Sequence, residues 1–181
     1  MKRPLLIMLF IIALISTTAF AEVKQGDVLV GASSQLSFST MKLKPEGYSD
    51  EKVELTSFDI SAERLLTDNL SLGASLTYEK EDYDDGDTTS TIMLIYGTAY
   101  LQPNEKLNPY ISVGIGRIDI DVDGIDGDGL GYGGGLGILY FFNNNVALDF
   151  GYTYLSGDLD VEGFDVDYIA SGFVAGFMIK F

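Results

Sequence analysis

The sharpest local motif of potential metal ligands in the chain is Asp119-Ile-Asp-Val-Asp-Gly-Ile-Asp-Gly-Asp-Gly129. Asp119, Asp121, Asp123 and Gly124 match the D-x-D-x-D-G opening of a calcium loop, in which alternate carboxylates converge on one ion and glycine permits the sharp turn. The twelfth position of such a loop carries a bidentate glutamate, but here it is Leu130. Alternate residues of an extended strand would also fail to converge. Asp119, Asp121, Asp123, Asp126 and Asp128 therefore stand as candidate metal ligands against a second reading, a solvated acidic loop that gathers divalent cations loosely.

The rest of the catalytic inventory is short. The chain has no His and no Cys, so neither a Ser-His nor a Cys-His nucleophile can be assembled. What remains is a carboxylate pair for general acid and base work, Asp59 with Glu79 or with Asp149. Against it stands an ion-paired interior in which Lys180, and either Arg64 or Arg117, neutralise those carboxylates, because a buried charge needs a partner. The bases are too few for complete pairing, so bound water or a protonated carboxyl is expected as well. The expectation is no enzyme and no cofactor.

These side chains need elements to hold them, and the last stretch, Phe164 to Phe181, shows what kind. Phe181, Ile179, Phe177, Ala175 and Phe173 alternate with Lys180, Met178, Gly176, Val174 and Gly172, the period of two that marks a strand with different surroundings on its two faces. One face is large and aromatic, as against lipid, and the other is lean, as in a crowded barrel interior. In hydrocarbon an open strand edge leaves backbone groups unsatisfied at roughly several kcal/mol each, so the sheet has to close.

On these residues the chain resembles the small outer-membrane β-barrel family of Gram-negative bacteria, the OmpA/OmpX-type, porin-like barrels. The resemblance implies a closed eight-stranded antiparallel up-and-down transmembrane β-barrel, all-β, in the cell outer membrane. It also implies that Phe173, Phe177, Ile179 and Phe181 form the terminal signal read by the outer-membrane assembly machinery. The chain ends at Phe181 without the periplasmic peptidoglycan-binding domain of longer members, so no cell-wall tether is expected.

From Gly26 onward, eight extended segments can be read. The first sets Val28, Val30 and Ala32 against Leu29, Gly31, Ser33 and Gln35. In the second, Phe58, Ile60 and Ala62 oppose Ser57, Asp59, Ser61 and Glu63, while Val53 and Leu55 fall out of phase, which predicts a bulge or a strand end above the membrane. The third alternates Leu70, Leu72, Ala74, Leu76 and Tyr78 with Ser71, Gly73, Ser75, Thr77 and Glu79. Ile92, Leu94, Tyr96 and Tyr100 are read as the outer face of the fourth.

In the fifth, Arg117 is in phase with Ile111, Val113 and Ile115. A base at the lipid midplane costs about 2–4 kcal/mol, so either the strand has left the hydrocarbon by Arg117 or a bulge swaps its faces. The sixth alternates Leu130, Tyr132, Leu136, Ile138 and Tyr140 with glycines 131, 133, 135 and 137. These glycines would leave a narrow crevice or let a large residue such as Met178 or Met93 pack across them. In the seventh, Val146, Leu148, Phe150, Tyr152 and Tyr154 oppose Ala147, Asp149, Gly151 and Thr153. The interior polar set is thus Gln35, Asp59, Glu63, Glu79, Asp149 and Lys180. Tyr78, Tyr96, Tyr100, Tyr110, Tyr132, Tyr140, Tyr152 and Tyr154 are expected in interfacial girdles.

Connection lengths predict the orientation. Links after strands two, four and six are compact, whereas 40–52, 80–87, 119–128 and 156–163 read as longer acidic external loops, with both chain ends in the periplasm.

At the other end, Met1-Lys2-Arg3, the apolar run Leu5 to Ile15 and Ala19-Phe20-Ala21 read as a signal peptide, residues 1–21, ahead of a barrel domain at 22–181. Removing Lys2 and Arg3 takes the formal charge from −16 to −18, which argues against nucleic acid and anionic partners. Expected partners are the bilayer, lipopolysaccharide, the assembly machinery and divalent cations bridging lipopolysaccharide phosphates. A monomer with a structural, envelope-integrity or surface-interaction role is predicted; the alternative is a narrow channel for small solutes or cations.

Overall fold

The computed structural model describes residues 23–43, 53–83, 86–101, 106–122 and 124–181; the signal segment 1–21 lies outside them. Eight strands follow in chain order: β1 (Val28–Leu43), β2 (Val53–Leu65), β3 (Leu70–Tyr83), β4 (Gly86–Tyr100), β5 (Leu107–Val122), β6 (Ile125–Phe141), β7 (Val146–Val161) and β8 (Phe164–Lys180). Each pairs antiparallel with its sequence neighbours, and β8 returns to β1 from Leu29↔Lys180 to Leu43↔Val166, closing the barrel. Closure gives every strand a neighbour on both sides, the condition for a sheet in hydrocarbon.

The register runs without a slip. From Val28↔Arg64 to Ser39↔Val53 the β1–β2 ladder has no bulge, so Val53 and Leu55 continue the strand. The β4–β5 and β5–β6 ladders are equally continuous through Arg117. Arg117 therefore stays on the outer face with Ile115, and its faces are not swapped.

Most of the expected long acidic loops are not loops. The ladders run to Tyr83↔Gly86 between β3 and β4, to Val122↔Ile125 between β5 and β6 and to Val161↔Phe164 between β7 and β8, while 44–52, 84–85 and 123 lie outside the described residues. The sequence Ile118-Asp-Ile-Asp121 keeps the strand period, with isoleucines inward and aspartates outward, so extended pairing continues to the tip. Strands of 13 to 17 residues exceed the roughly 9–11 needed to cross a bilayer. The excess stands beyond the membrane as paired strand.

Glu162 (φ 51°) and Gly163 (φ 86°) both have positive φ at the β7–β8 tip, the type I′ hairpin signature, and Gly163 N–H donates to Asp160 Oδ1 at 2.8 Å. Glutamate tolerates that region poorly, so Glu162→Asn should raise stability by about 0.5–1 kcal/mol, read from the urea midpoint in lipid vesicles.

One strand faces opposite to expectation. Ile92, Tyr100 and Thr98 of β4 are buried in the lumen, while Met93 and Ile95 are exposed outside. Both faces of β4 carry large apolar groups, so alternation alone does not phase it. The choice is set by interior carboxylates that need hydroxyl donors. As a result Tyr96 and Tyr100 belong to the interior, as does Tyr110 on the inward face of β5, while Tyr78, Tyr132, Tyr140, Tyr152 and Tyr154 are exposed on the outside as read.

Candidate functional site

The lumen has three levels. Near the chain termini, Leu29, Leu65, Tyr100, Leu139, Phe141 and Met178 form a buried apolar cluster with Val23 and Ala147. Toward the hairpin tips, Ile92, Ile118, Ile120, Leu159, Val166 and Tyr168 form a second with Ala170. Between them lies a cavity of about 190 Å³ with Asp59, Glu63, Glu79 and Asp149 in its wall.

Inward alternation on β2, β3 and β7 delivers these carboxylates, and hydroxyl groups hold them. Asp59 accepts from Ser33 Oγ at 3.4 Å and from Thr77 Oγ1 at 2.9 Å. Glu63 accepts from Ser71 Oγ at 2.6 Å and from the Tyr100 hydroxyl. Asp149 accepts from Tyr110 Oη at 2.8 Å, and Glu79 from Tyr168 Oη at 3.4 Å. Tyr100→Phe would leave the buried Glu63 with one of these two donors, a loss of about 1–3 kcal/mol in urea unfolding. Unchanged stability would mean that the pair is not formed.

The expected counter-charges are elsewhere. Arg64 is exposed on the outer face of β2. Arg117, also exposed, pairs with Asp119 at 2.7 Å and with Asp128 at 3.4 Å. Lys180 does face inward, but at the terminal end: its Nζ lies 3.5 Å from Asp27 Oδ2 and above the Phe141 ring. Gln35 is paired with Ser57 and Val174 in the ladders, and its side chain is outside the described residues.

Two glycines on the inward face of β6 are covered from the neighbouring strand β5, by residues other than the methionines named from sequence. A Cβ on Gly137 would fall 2.5 Å from Tyr110 Oη, and one on Gly151 2.8 Å from it, so the ring lies over both. Ile118 covers Gly131 and Gly157 in the same way. Met93 points outward. Sequence reasoning missed Tyr96, Tyr100, Tyr110 and Tyr168 as interior groups. The signal that could have found them was a set of inward acids with too few bases.

The aspartates of the hairpin ends are on the outside. Asp119↔Asp128↔Asp160↔Asp165 form one row across β5, β6, β7 and β8, with Asp121↔Asp126 beyond it and Asp158↔Asp167 below. Asp121 Oδ1 also accepts from Gly124 N–H at 2.9 Å, fixing the β5–β6 turn. Among the described residues no three carboxylates come together as a metal-holding group; Asp123 lies outside them. Phe173, Phe177, Ile179 and Phe181 are all exposed along the outer face of β8 and its end.

A family model described as "Outer membrane protein beta-barrel domain" matches residues 7–181. No curated protein matches the chain. Among solved structures, Neisserial surface protein A is 21% identical, with a TM-score of 0.70, over 87% of this chain and 100% of its own. OprG from Pseudomonas aeruginosa is 16% identical, with a TM-score of 0.59, over 88% and 98%. Ail, the attachment invasion locus protein of Yersinia pestis, is 16% identical, with a TM-score of 0.54, over 87% and 99%. At these identities the likeness is one of fold, and all three share the antiparallel barrel.

Proposed function

Because the chain belongs to the outer membrane protein beta-barrel domain family and sits in the cell outer membrane, we propose that it acts there as a monomeric, non-catalytic barrel with a structural and surface-interaction role. What carries this reading is the lumen: a buried, largely apolar cluster lies toward each end, and Tyr110 and Ile118 lie over Gly137 and Gly131 of β6. A barrel of eight strands has just enough interior for side chains to fill.

The acidic hairpin ends, as strand extensions, are the surface offered to the outside. Their outward aspartates lie along the same faces as the lipid-facing leucines and tyrosines, one step beyond them, at the level where lipopolysaccharide phosphates sit. Divalent cations bridging carboxylate and phosphate suit that arrangement, and Arg117 adds a cation beside Asp119 and Asp128. In this orientation both chain ends lie in the periplasm, and the exposed β8 face with Phe181 is the segment offered to the assembly machinery.

Planar-bilayer recording together with a deletion strain tests the proposal. The purified barrel should show no unitary conductance, and the deletion should raise permeability to large antibiotics in a way that added Mg²⁺ offsets. Reproducible conductance, or a deletion with no envelope phenotype at low Mg²⁺, would overturn it.

A further inference from the structure

Exposed apolar side chains on this barrel have two surroundings. Along the belt they meet lipid, but at the hairpin tips, where the strands run on past the membrane, they meet water. Phe164 is 74% exposed there, and Ile125 40%. Each stands in the last pair of a hairpin, Val161↔Phe164 and Val122↔Ile125. The pair Gly127↔Val161 sets the two hairpins side by side, and a Cβ on Gly127 would fall 2.6 Å from Val161 Cγ2, so the valine lies over the neighbouring strand. Val122 and Val161 in turn pack against the buried cluster of Ile120, Leu159 and Val166. Phe164 and Ile125 are thus the outer end of an apolar column rooted inside the barrel, unlike apolar residues scattered singly over a surface.

The charge around this end has one sign. Asp126 and Asp165 follow the two apolar residues in sequence, Glu162 stands in the β7–β8 turn, and all three are exposed. Asp128 and Asp160 face each other one step below. From Ile118 to Ile179 the chain contains no Lys and no Arg, and Arg117, just before that span, is held by Asp119 and Asp128. An apolar anchor beside charge of a single sign selects its partner on two counts: burial of the anchor supplies affinity, and the charges supply steering and choice. Anions are repelled here, and a bare divalent cation gains nothing from burying a phenyl ring.

We propose that the paired tips of the β5–β6 and β7–β8 hairpins dock a basic polypeptide segment, with an apolar side chain of the partner set against Phe164 and Ile125 and its Lys or Arg residues against the flanking carboxylates. This names the partner for the surface-interaction role proposed above and rests on that reading. A partner ammonium or guanidinium group also finds a favourable place over the exposed Phe164 ring.

The test uses the full mature chain in nanodiscs of uncharged phosphatidylcholine, with heat-modifiable gel migration as the check on folding. The probe is a fluorescein-labelled peptide, Lys-Lys-Leu-Phe-Lys-Lys, read by anisotropy. Its binding should saturate, and should weaken about tenfold or more as NaCl rises from about 0.05 to about 0.5 M. Replacing Leu-Phe of the probe by Ser-Ser should weaken binding about tenfold, and so should Phe164→Ser in the barrel. Ile125→Ser, a second variant at the same tip, should cost about threefold, while Phe150→Ser in the lipid belt should change nothing. Asp126→Asn with Asp165→Asn should cost about fivefold; Asp121 and Asp160 are spared because they accept from turn amides. The acidic peptide Glu-Glu-Leu-Phe-Glu-Glu should not bind.

Absence of saturable binding, equal affinity for the Ser-Ser peptide, or an affinity untouched by both tip variants would overturn the inference. So would a dimer in detergent that Phe164→Ser dissolves, which would make a second copy of the chain the occupant. Conductance and the Mg²⁺-dependent envelope phenotype do not enter this readout, so its failure would leave the structural role standing.

Discussion

Leu136→Arg will destabilise the barrel by roughly 2–4 kcal/mol in urea unfolding from phospholipid vesicles, whereas Leu130→Arg on the same strand and face will cost under about 1 kcal/mol. Surface area cannot separate them, since the two leucines are 63% and 61% exposed. Their cross-strand rows can. Leu136 lies in the row Ile111, Leu136, Tyr152 and Phe173, apolar and aromatic throughout. Leu130 lies in the row Arg117, Leu130, Asp158 and Asp167, where an added guanidinium meets carboxylates and water. Equal losses at the two sites would mean that the hydrocarbon belt is placed wrongly on the barrel.

The second large effect is expected inside the lumen. Gly137→Val places a Cβ 2.5 Å from Tyr110 Oη and 2.6 Å from the Phe150 carbonyl oxygen. The ring must leave, and its 2.8 Å hydrogen bond to Asp149 goes with it. Overpacking against backbone and a buried carboxylate left short of a donor each cost about 1–3 kcal/mol, so a loss on the order of 4 kcal/mol is expected, with slowed folding in vesicles. Gly97→Val is the control. On the lipid-facing side of β4, its Cβ would meet nothing nearer than the Ser71 carbonyl oxygen at 3.6 Å, and stability should stay within about 0.5 kcal/mol. If both variants behaved alike, the Tyr110 packing described above would be wrong.

The barrel was legible because lipid outside and tight packing inside impose opposite demands on alternate residues. Where only one face was greasy, as in β3 with Leu70, Leu72, Ala74, Leu76 and Tyr78, the phase could be read directly. In β4 it could not. Ile92 and Leu94 on one face match Met93 and Ile95 on the other, and only the needs of acids on β2 and β7 decide between them. Those needs are long-range: Tyr100 meets Glu63 across β3, and Tyr110 meets Asp149 across β6. The tips were misread for a related reason. Glycine and aspartate usually mark loops, but Asp119, Asp121, Asp126 and Asp128 keep strict alternation with inward Ile118, Ile120, Gly127 and Gly129, and the ladder continues to Val122↔Ile125.

The row of aspartates across β5 to β8 also makes the rim of the barrel sensitive to the ionic strength around it. Like charges facing one another on adjacent strands push those strands apart, and mobile ions weaken that push once the screening length falls to about 8 Å, near physiological salt. In dilute buffer the amides of Gly127 and Gly129 should therefore exchange with deuterium faster than in saline, while those of Leu136 and Ile138 in the belt keep one rate. The upper third of the wall would then fray and knit with the medium, independently of the part that lipid holds.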